Sequence, residues 1–85
     1  MTTKEMTIEM AAGLEARPAA MLVQVASRYE SSIHIENGSV KVNAKSIMGM
    51  MSLALGEGEV IKVIADGTDE EEAVTKIEEY LKTGK

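Results

Sequence analysis

"SIHIENGSVKVN", residues Ser32 to Asn43, holds two short alternating runs on either side of Asn37-Gly38. Ile33 and Ile35 recur at a period of two, and Val40 and Val42 repeat the pattern after the break, as half-buried strands do. Asn-Gly between such runs is a strong hairpin signal, because a type I′ turn needs positive φ at both central positions. The reading is an antiparallel hairpin, Ser32–Glu36 and Ser39–Asn43, turning on Asn37-Gly38.

Working outward, Lys45-Ser46-Ile47-Met48-Gly49-Met50-Met51-Ser52 follows the hairpin, with Ser46 in place to cap a short helix. Gly56-Glu57-Gly58 ends that region, and Val60 to Ala65 is a β-prone run suited to a central strand. Thr68-Asp69-Glu70-Glu71 reads as a capping box for a last helix. Four acids in that first turn suit the helix dipole. Ala73, Val74, Ile77 and Leu81 then form an apolar stripe, with Glu72/Lys76 and Glu78/Lys82 as i,i+4 pairs on the wet side.

Upstream, residues 3 to 10 alternate, with Met6, Ile8 and Met10 on one face and Glu5, Thr7 and Glu9 on the other. Ala12-Gly13 makes a loop, and residues 16 to 28 read as a helix whose first turn accommodates Pro18. Ala19, Leu22 and Ala26 suit the core. Ala16, Ala20 and Val23 make a second apolar side, more than a helix lying on a sheet needs. The order β-α-β-β-α-β-α, with the helices on one face of an antiparallel sheet, is a two-layer α+β sandwich.

Composition narrows the classes of function. Eighty-five residues fit one small domain, residues 1–85, which buries only about 60% of its unfolded surface. There is no Phe or Trp, so seven Met and the aliphatic residues fill the core. A net charge of −5 without a Lys/Arg cluster argues against nucleic acid as a direct partner. The chain has no Cys, so disulfides and thiolate metal sites are excluded. No apolar run approaches the ~18 residues that span a membrane, and no signal peptide is visible. The expectation is a soluble cytoplasmic protein without a cofactor or a bound metal.

Few residues carry chemistry. There is no Ser/His/Asp order, no metal-ligand spacing and no GxGxxG, so the chain is not expected to be an enzyme and no catalytic residue is assigned. Ser46 has two compatible readings, a helix cap and a phosphorylation site at free N–H groups. Arg17 is either a solvated cation within pairing range of Glu15 in sequence, or a clamp for phosphate or carboxylate. Ile47, Met48 and Met51 cannot all point inward from so short a helix. With Ala16, Ala20 and Val23 they form a candidate partner-binding patch, with phosphorylated Ser46 and Arg17 at its rim and Lys45 counted among the binding residues. His34, the single histidine, lies mid-strand on the face opposite Ile33 and Ile35, toward water.

"GLEARPAA" (13–20) and "VNAKSIMGMMSLAL" (42–55), together with the element order, resemble the HPr family of histidine-containing phosphocarriers, across essentially the whole chain. The resemblance implies an open-faced β-sandwich with sheet order 1-4-2-3, two long helices and one short. It also implies two phosphorylation positions. One is a histidine directly before Ala-Arg-Pro, charged by enzyme I from phosphoenolpyruvate. Here that position is Glu15, which has no imidazole to carry a phosphoryl group. The other is the serine of KSIMG, intact as Ser46 and, by resemblance, the target of HPr kinase/phosphorylase in Gram-positive bacteria.

The chain is more similar to the branch of that family without the active histidine, the catabolite-repression HPr-like proteins (Crh). Those are expected to carry Gln where this chain has Glu15. The resemblance implies a phosphoprotein of carbon catabolite repression that, once phosphorylated on Ser46, is a corepressor of the transcription regulator catabolite control protein A. Two other functions stay open: a phosphotransferase-system carrier using His34 or Glu15 as acceptor, and a scaffold without a switch. Homodimer formation is left open as well.

Overall fold

The computed structural model describes residues 1–9, 16–53 and 56–83, with the backbone alone at 16 and 17. The elements run β1 (Thr2–Thr7), α1 (Ala16–Ser27), β2 (Ser32–Asn37), β3 (Val40–Asn43), α2 (Ile47–Leu53), β4 (Val60–Asp66) and α3 (Glu70–Thr83). The four strands form one antiparallel sheet in the order β1-β4-β2-β3, so the expected order 1-4-2-3 is what forms.

The alternation of each strand decides which face is covered. Ile33 and Ile35 of β2, Ile61, Val63 and Ala65 of β4, and Met6 of β1 are buried on one side. His34, Glu36, Lys62 and Ile64 alternate with them and stay half-exposed on the other. The helices supply the second layer. Ala19, Leu22 and Ala26 of α1 are fully buried, as their i, i+3, i+7 spacing predicts. The stripe Ala73, Val74, Ile77 and Leu81 of α3 is buried too, and Tyr80 joins it with its hydroxyl on the Pro18 carbonyl at 2.9 Å.

Local details differ from the sequence reading where distant groups intervene. Asn37 pairs with Val40, so the loop residues are Gly38 and Ser39, one later than expected. Gly38 takes the positive φ of 61°, while the Asn37 amide donates to the Val60 carbonyl at 3.3 Å and keeps Asn37 in the ladder. The first strand ends at Thr7 rather than residue 10. Ile8 is nonetheless buried, and its N–H donates to the Glu59 carbonyl at 2.9 Å. Met10 lies outside the described residues.

The capping box at Thr68 and Glu71 does not form. Asp69 is the N-cap instead, its carbonyl accepting from the Ala73 N–H at 2.9 Å. Its carboxylate is drawn to the α1–β2 loop, where it accepts from the Glu30 N–H at 2.9 Å, the Ser31 N–H at 3.0 Å and the Ser31 hydroxyl. Those bonds, the hydroxyl first, hold the Asp69 carboxyl below its ordinary pKa. Glu70, in place of Glu71, reaches back to the Gly67 N–H at 3.0 Å. The two i,i+4 pairs are also replaced: Lys76 pairs with Glu79 at 3.3 Å, and Glu78 takes Lys4 of β1 at 2.8 Å. Among the described residues no helix is long and apolar enough to cross a membrane.

Candidate functional site

The candidate site is built where β3 hands over to α2. The Asn43 side-chain oxygen accepts from the Lys45 N–H at 2.8 Å, and the Asn43 carbonyl accepts from the Ser46 N–H at 3.0 Å. This turn delivers Ser46 to the N-cap. Its Oγ accepts from the Gly49 N–H at 3.2 Å and its carbonyl from the Met50 N–H at 2.9 Å. Both bonds are what an N-cap serine makes. Gly49 is part of the same arrangement. A Cβ there would lie 3.3 Å from the Val42 Cβ and 3.5 Å from the Ser46 Oγ, so its absence lets the first turn of α2 settle against β3. Ser46 itself is half-exposed.

The apolar residues of α2 divide as a two-turn helix requires. Met50 is fully buried and anchors the helix. Met48 is 78% exposed, Met51 48% and Ile47 42%. On α1, which packs against α2, Ala20 and Val23 are half-buried, and Val23 also touches the core cluster. The patch expected from sequence is therefore carried mainly by α2. Glu15 lies outside the described residues, and so do the side chains of Ala16 and Arg17. Lys45, expected among the partner-binding residues, has a partner within the chain. Its Nζ donates to the Tyr29 carbonyl at 2.6 Å, just beyond the C-terminus of α1, where a positive charge is favourable. It ties the end of one helix to the start of the other.

His34 sits on the uncovered side of the sheet, opposite Ile64 of β4 and Asn43 of β3, away from α2. Among the described residues no cluster of three Asp, Glu or His side chains is placed to hold a metal ion.

Sequence reading missed a groove of about 220 Å³ between α1 and α3, lined by Met21, Val25, Tyr29 and Tyr80 with Arg28, Lys76 and Glu79 around them. Burial raises the pKa of both phenols. The one signal for it was Met21 and Val25 at i,i+4 spacing beside the core stripe.

An open-faced sandwich with a serine-capped short helix is the architecture of phosphocarrier-like proteins, and the comparisons agree. The family model for the PTS HPr component phosphorylation site matches residues 2–83. The chain belongs to the HPr family. It is 48% identical over 81 residues to the HPr-like protein Crh of Halalkalibacterium halodurans, covering 95% of this chain and 96% of that one. The crystal structure of the phosphocarrier protein HPr from Bacillus anthracis str. Ames superposes with a TM-score of 0.90 at 46% identity, covering 93% of this chain and 94% of that one. The crystal structure of Bacillus subtilis Crh, described as a swapped dimer, gives 0.75 at 46% identity, covering 95% and 93%.

Proposed function

We propose that this chain is a Crh-type regulatory protein, switched by phosphorylation of Ser46 by an HPr kinase/phosphorylase, which then acts as corepressor of a catabolite control protein A-like transcription regulator. The observation that carries the reading is the Ser46 hydroxyl at the head of α2, half-exposed and beside exposed Ile47, Met48 and Met51. A phosphate there adds roughly −1.5 to −2 charge and three acceptor oxygens, next to the N–H groups of the first helical turn. The fold need not change. What changes is the charge at the edge of an apolar face, so a regulator presenting Arg or Lys beside an apolar surface gains on phosphorylation. The name catabolite repression HPr, given to the Bacillus subtilis relative, supports the same reading.

Glu15 stands where phosphocarriers have their histidine, so the chain is proposed not to relay phosphate to sugars. The high similarity to a phosphocarrier structure favours keeping a carrier function as the alternative. Its remaining histidine, His34, is on the far side of the sheet from the Arg17-Pro18 turn of α1. A swapped dimer like that described for Bacillus subtilis Crh is a further assembly open to this chain.

The test is a pair of incubations read by mass spectrometry. With HPr kinase and ATP, one phosphate is expected on Ser46 and none on Ser46→Ala. With enzyme I and phosphoenolpyruvate, no phosphate is expected. Phosphate mapped to Ser39 or Ser52 in the first incubation, or to His34 in the second, would overturn the assignment.

A further inference from the structure

The chain has seven methionines and no cysteine, so thioethers are its only oxidisable sulfur. The described methionines fall into a buried pair and an exposed set, the latter being Met1, Met21 of α1, Met48 and Met51. Met6 and Met50 are 4% and 0% exposed, packed in the core. Met48 and Met51 flank Met50 in the sequence yet stand out from α2, beside exposed Ile47. A buried thioether meets an oxidant only when the structure opens locally. An exposed one meets it at once, and it needs no ionisation to react.

We propose that Met48 and Met51 are a peroxide-sensitive modification site, and that their sulfoxides release the α2 face from its protein partner. The proposal rests on the reading of that face as a binding surface. The thioether lone pair attacks one oxygen of hydrogen peroxide, an S–O bond forms and the O–O bond breaks. The departing hydroxide takes up the proton and leaves as water. Sulfur loses two electrons and peroxide gains them. The product is polar and chiral where the reactant was apolar and pliable, and sulfoxide reductases reverse it. An interface that buried two thioethers must then desolvate two S=O groups, which costs affinity unless each finds a donor.

The placement makes the switch local. Met50 anchors α2 and is shielded, and Ser46 caps the helix through backbone contacts that the sulfoxides do not touch. Oxidation therefore leaves the fold and the phosphorylation site intact. Phosphorylation and oxidation become two inputs to one face, and binding requires phosphoserine together with reduced methionines.

The protein is treated with graded hydrogen peroxide and each methionine is mapped by peptide mass spectrometry, with Met1, also 78% exposed, as the internal standard. Met48 is expected to oxidise alongside Met1, Met51 and Met21 next, and Met6 and Met50 last; the Met48→Leu, Met51→Leu protein, which keeps Met21, separates the α2 face from the α1 thioether. The Ser46-phosphorylated protein is then titrated against the regulator reduced, oxidised, and repaired by sulfoxide reductases. Oxidation should weaken binding at least about tenfold, since a few apolar anchors carry most of an interface's affinity. Repair should restore it, and in the double variant Met48→Leu, Met51→Leu peroxide should no longer change the affinity, whatever its starting value. Met48 and Met51 reacting no faster than Met50 would overturn the proposal, and so would oxidised protein binding as well as reduced. If the reduced form itself fails to bind, the binding-face reading falls and the switch falls with it, whatever the oxidation map shows.

Discussion

Two regions of this molecule spend their side chains differently. Along α3, polar groups from distant parts of the chain close on one another. Asp69 buckles the Glu30-Ser31 loop, Glu70 holds Thr2 and the Gly67 N–H, and Glu78 holds Lys4. Around α2 the bonds are local, made by Asn43, Ser46 and Gly49, with Lys45 reaching the end of α1. Met50 apart, the large apolar side chains Ile47, Met48 and Met51 there stay outside. One end is fastened to hold the sheet and helices together. The other leaves contact area unused, which a fold of this size gives up only where something else is to cover it.

The sharpest way to break the comparison is to delete the same class of side chain at each end. Ile77 of α3 is fully buried, so Ile77→Ala removes apolar contacts and leaves a cavity. It should cost about 2–5 kcal/mol in denaturant unfolding. Met48→Ala removes a side chain that is mostly in water already, and should stay within about 0.5 kcal/mol of wild type while weakening the regulator. A large stability loss at Met48 would mean that α2 is packed more tightly than its exposure shows.

Glycines sharpen it further. A Cβ on Gly67 would lie 2.6 Å from both the Cα and the Oγ of Ser31, so backbone must move to admit it. Gly67→Ala should cost about 1–3 kcal/mol as an overpacked contact. At Gly49 the nearest atom is 3.3 Å away, a tight approach rather than a collision. There the crowding is offset by the better helix propensity of Ala, ~1 kcal/mol over Gly, and the net change should be close to zero. Thermal unfolding of both variants checks the pair. Equal losses would dissolve the distinction between the fastened end and the local one.

Much of this architecture was legible because its signals are local. A period of two marked β1, β2 and β3, apolar spacing marked α1 and α3, a β-prone run marked β4, and Ser46 announced α2 by lying one residue before it as a cap. What escaped is set by residues far away in sequence. Thr68 looked like the cap of α3, but Ser31 and Glu30 draw in the carboxylate of Asp69 and place the helix start there. Glu78 looked like a partner for Lys82, but β1 brings Lys4 to it. In the site, pattern alone showed that α2 has more apolar residues than it can bury. Packing against β3 and the core chose Met50 as the one inside. The bond from Lys45 to the end of α1 was not legible, because nothing local reveals that this carbonyl stands within its reach.

At the α2 end the cap itself is the next test. Ser46→Ala removes the acceptor of the Gly49 N–H, and loss of such a cap costs about 1 kcal/mol. The effect should appear as weaker hydrogen-exchange protection over Gly49 and Met50, with α3 unchanged, because the lost bond lies within the first turn of α2. Protection lost equally across α3 would show that the cap stabilises the whole fold rather than its own helix.

The smallest expected effect lies at the fastened end and is read through pH. Glu70 has its carboxyl pKa lowered from the ordinary 4.5 to about 2, first by the Thr2 hydroxyl and then by the Gly67 N–H. A carboxyl more acidic in the folded chain than in the unfolded one adds stability above the unfolded value, and that stability is lost as pH falls toward the folded value. The contribution of Glu70 should thus be complete above about pH 5 and fade down to about pH 2. Asp69 and Glu78 are shifted in the same direction, so the acid sensitivity of the whole protein does not isolate Glu70. Thr2→Val does, since it removes the largest cause of the shift while keeping the shape of the side chain. The variant should be slightly less stable than wild type at neutral pH, and the gap should close as the solution is acidified from 4.5 toward 2. Urea unfolding of both proteins across that range measures it. A gap that stays constant with pH would mean that Thr2 acts through packing alone and that the Glu70 carboxylate is not what fastens β1 to α3.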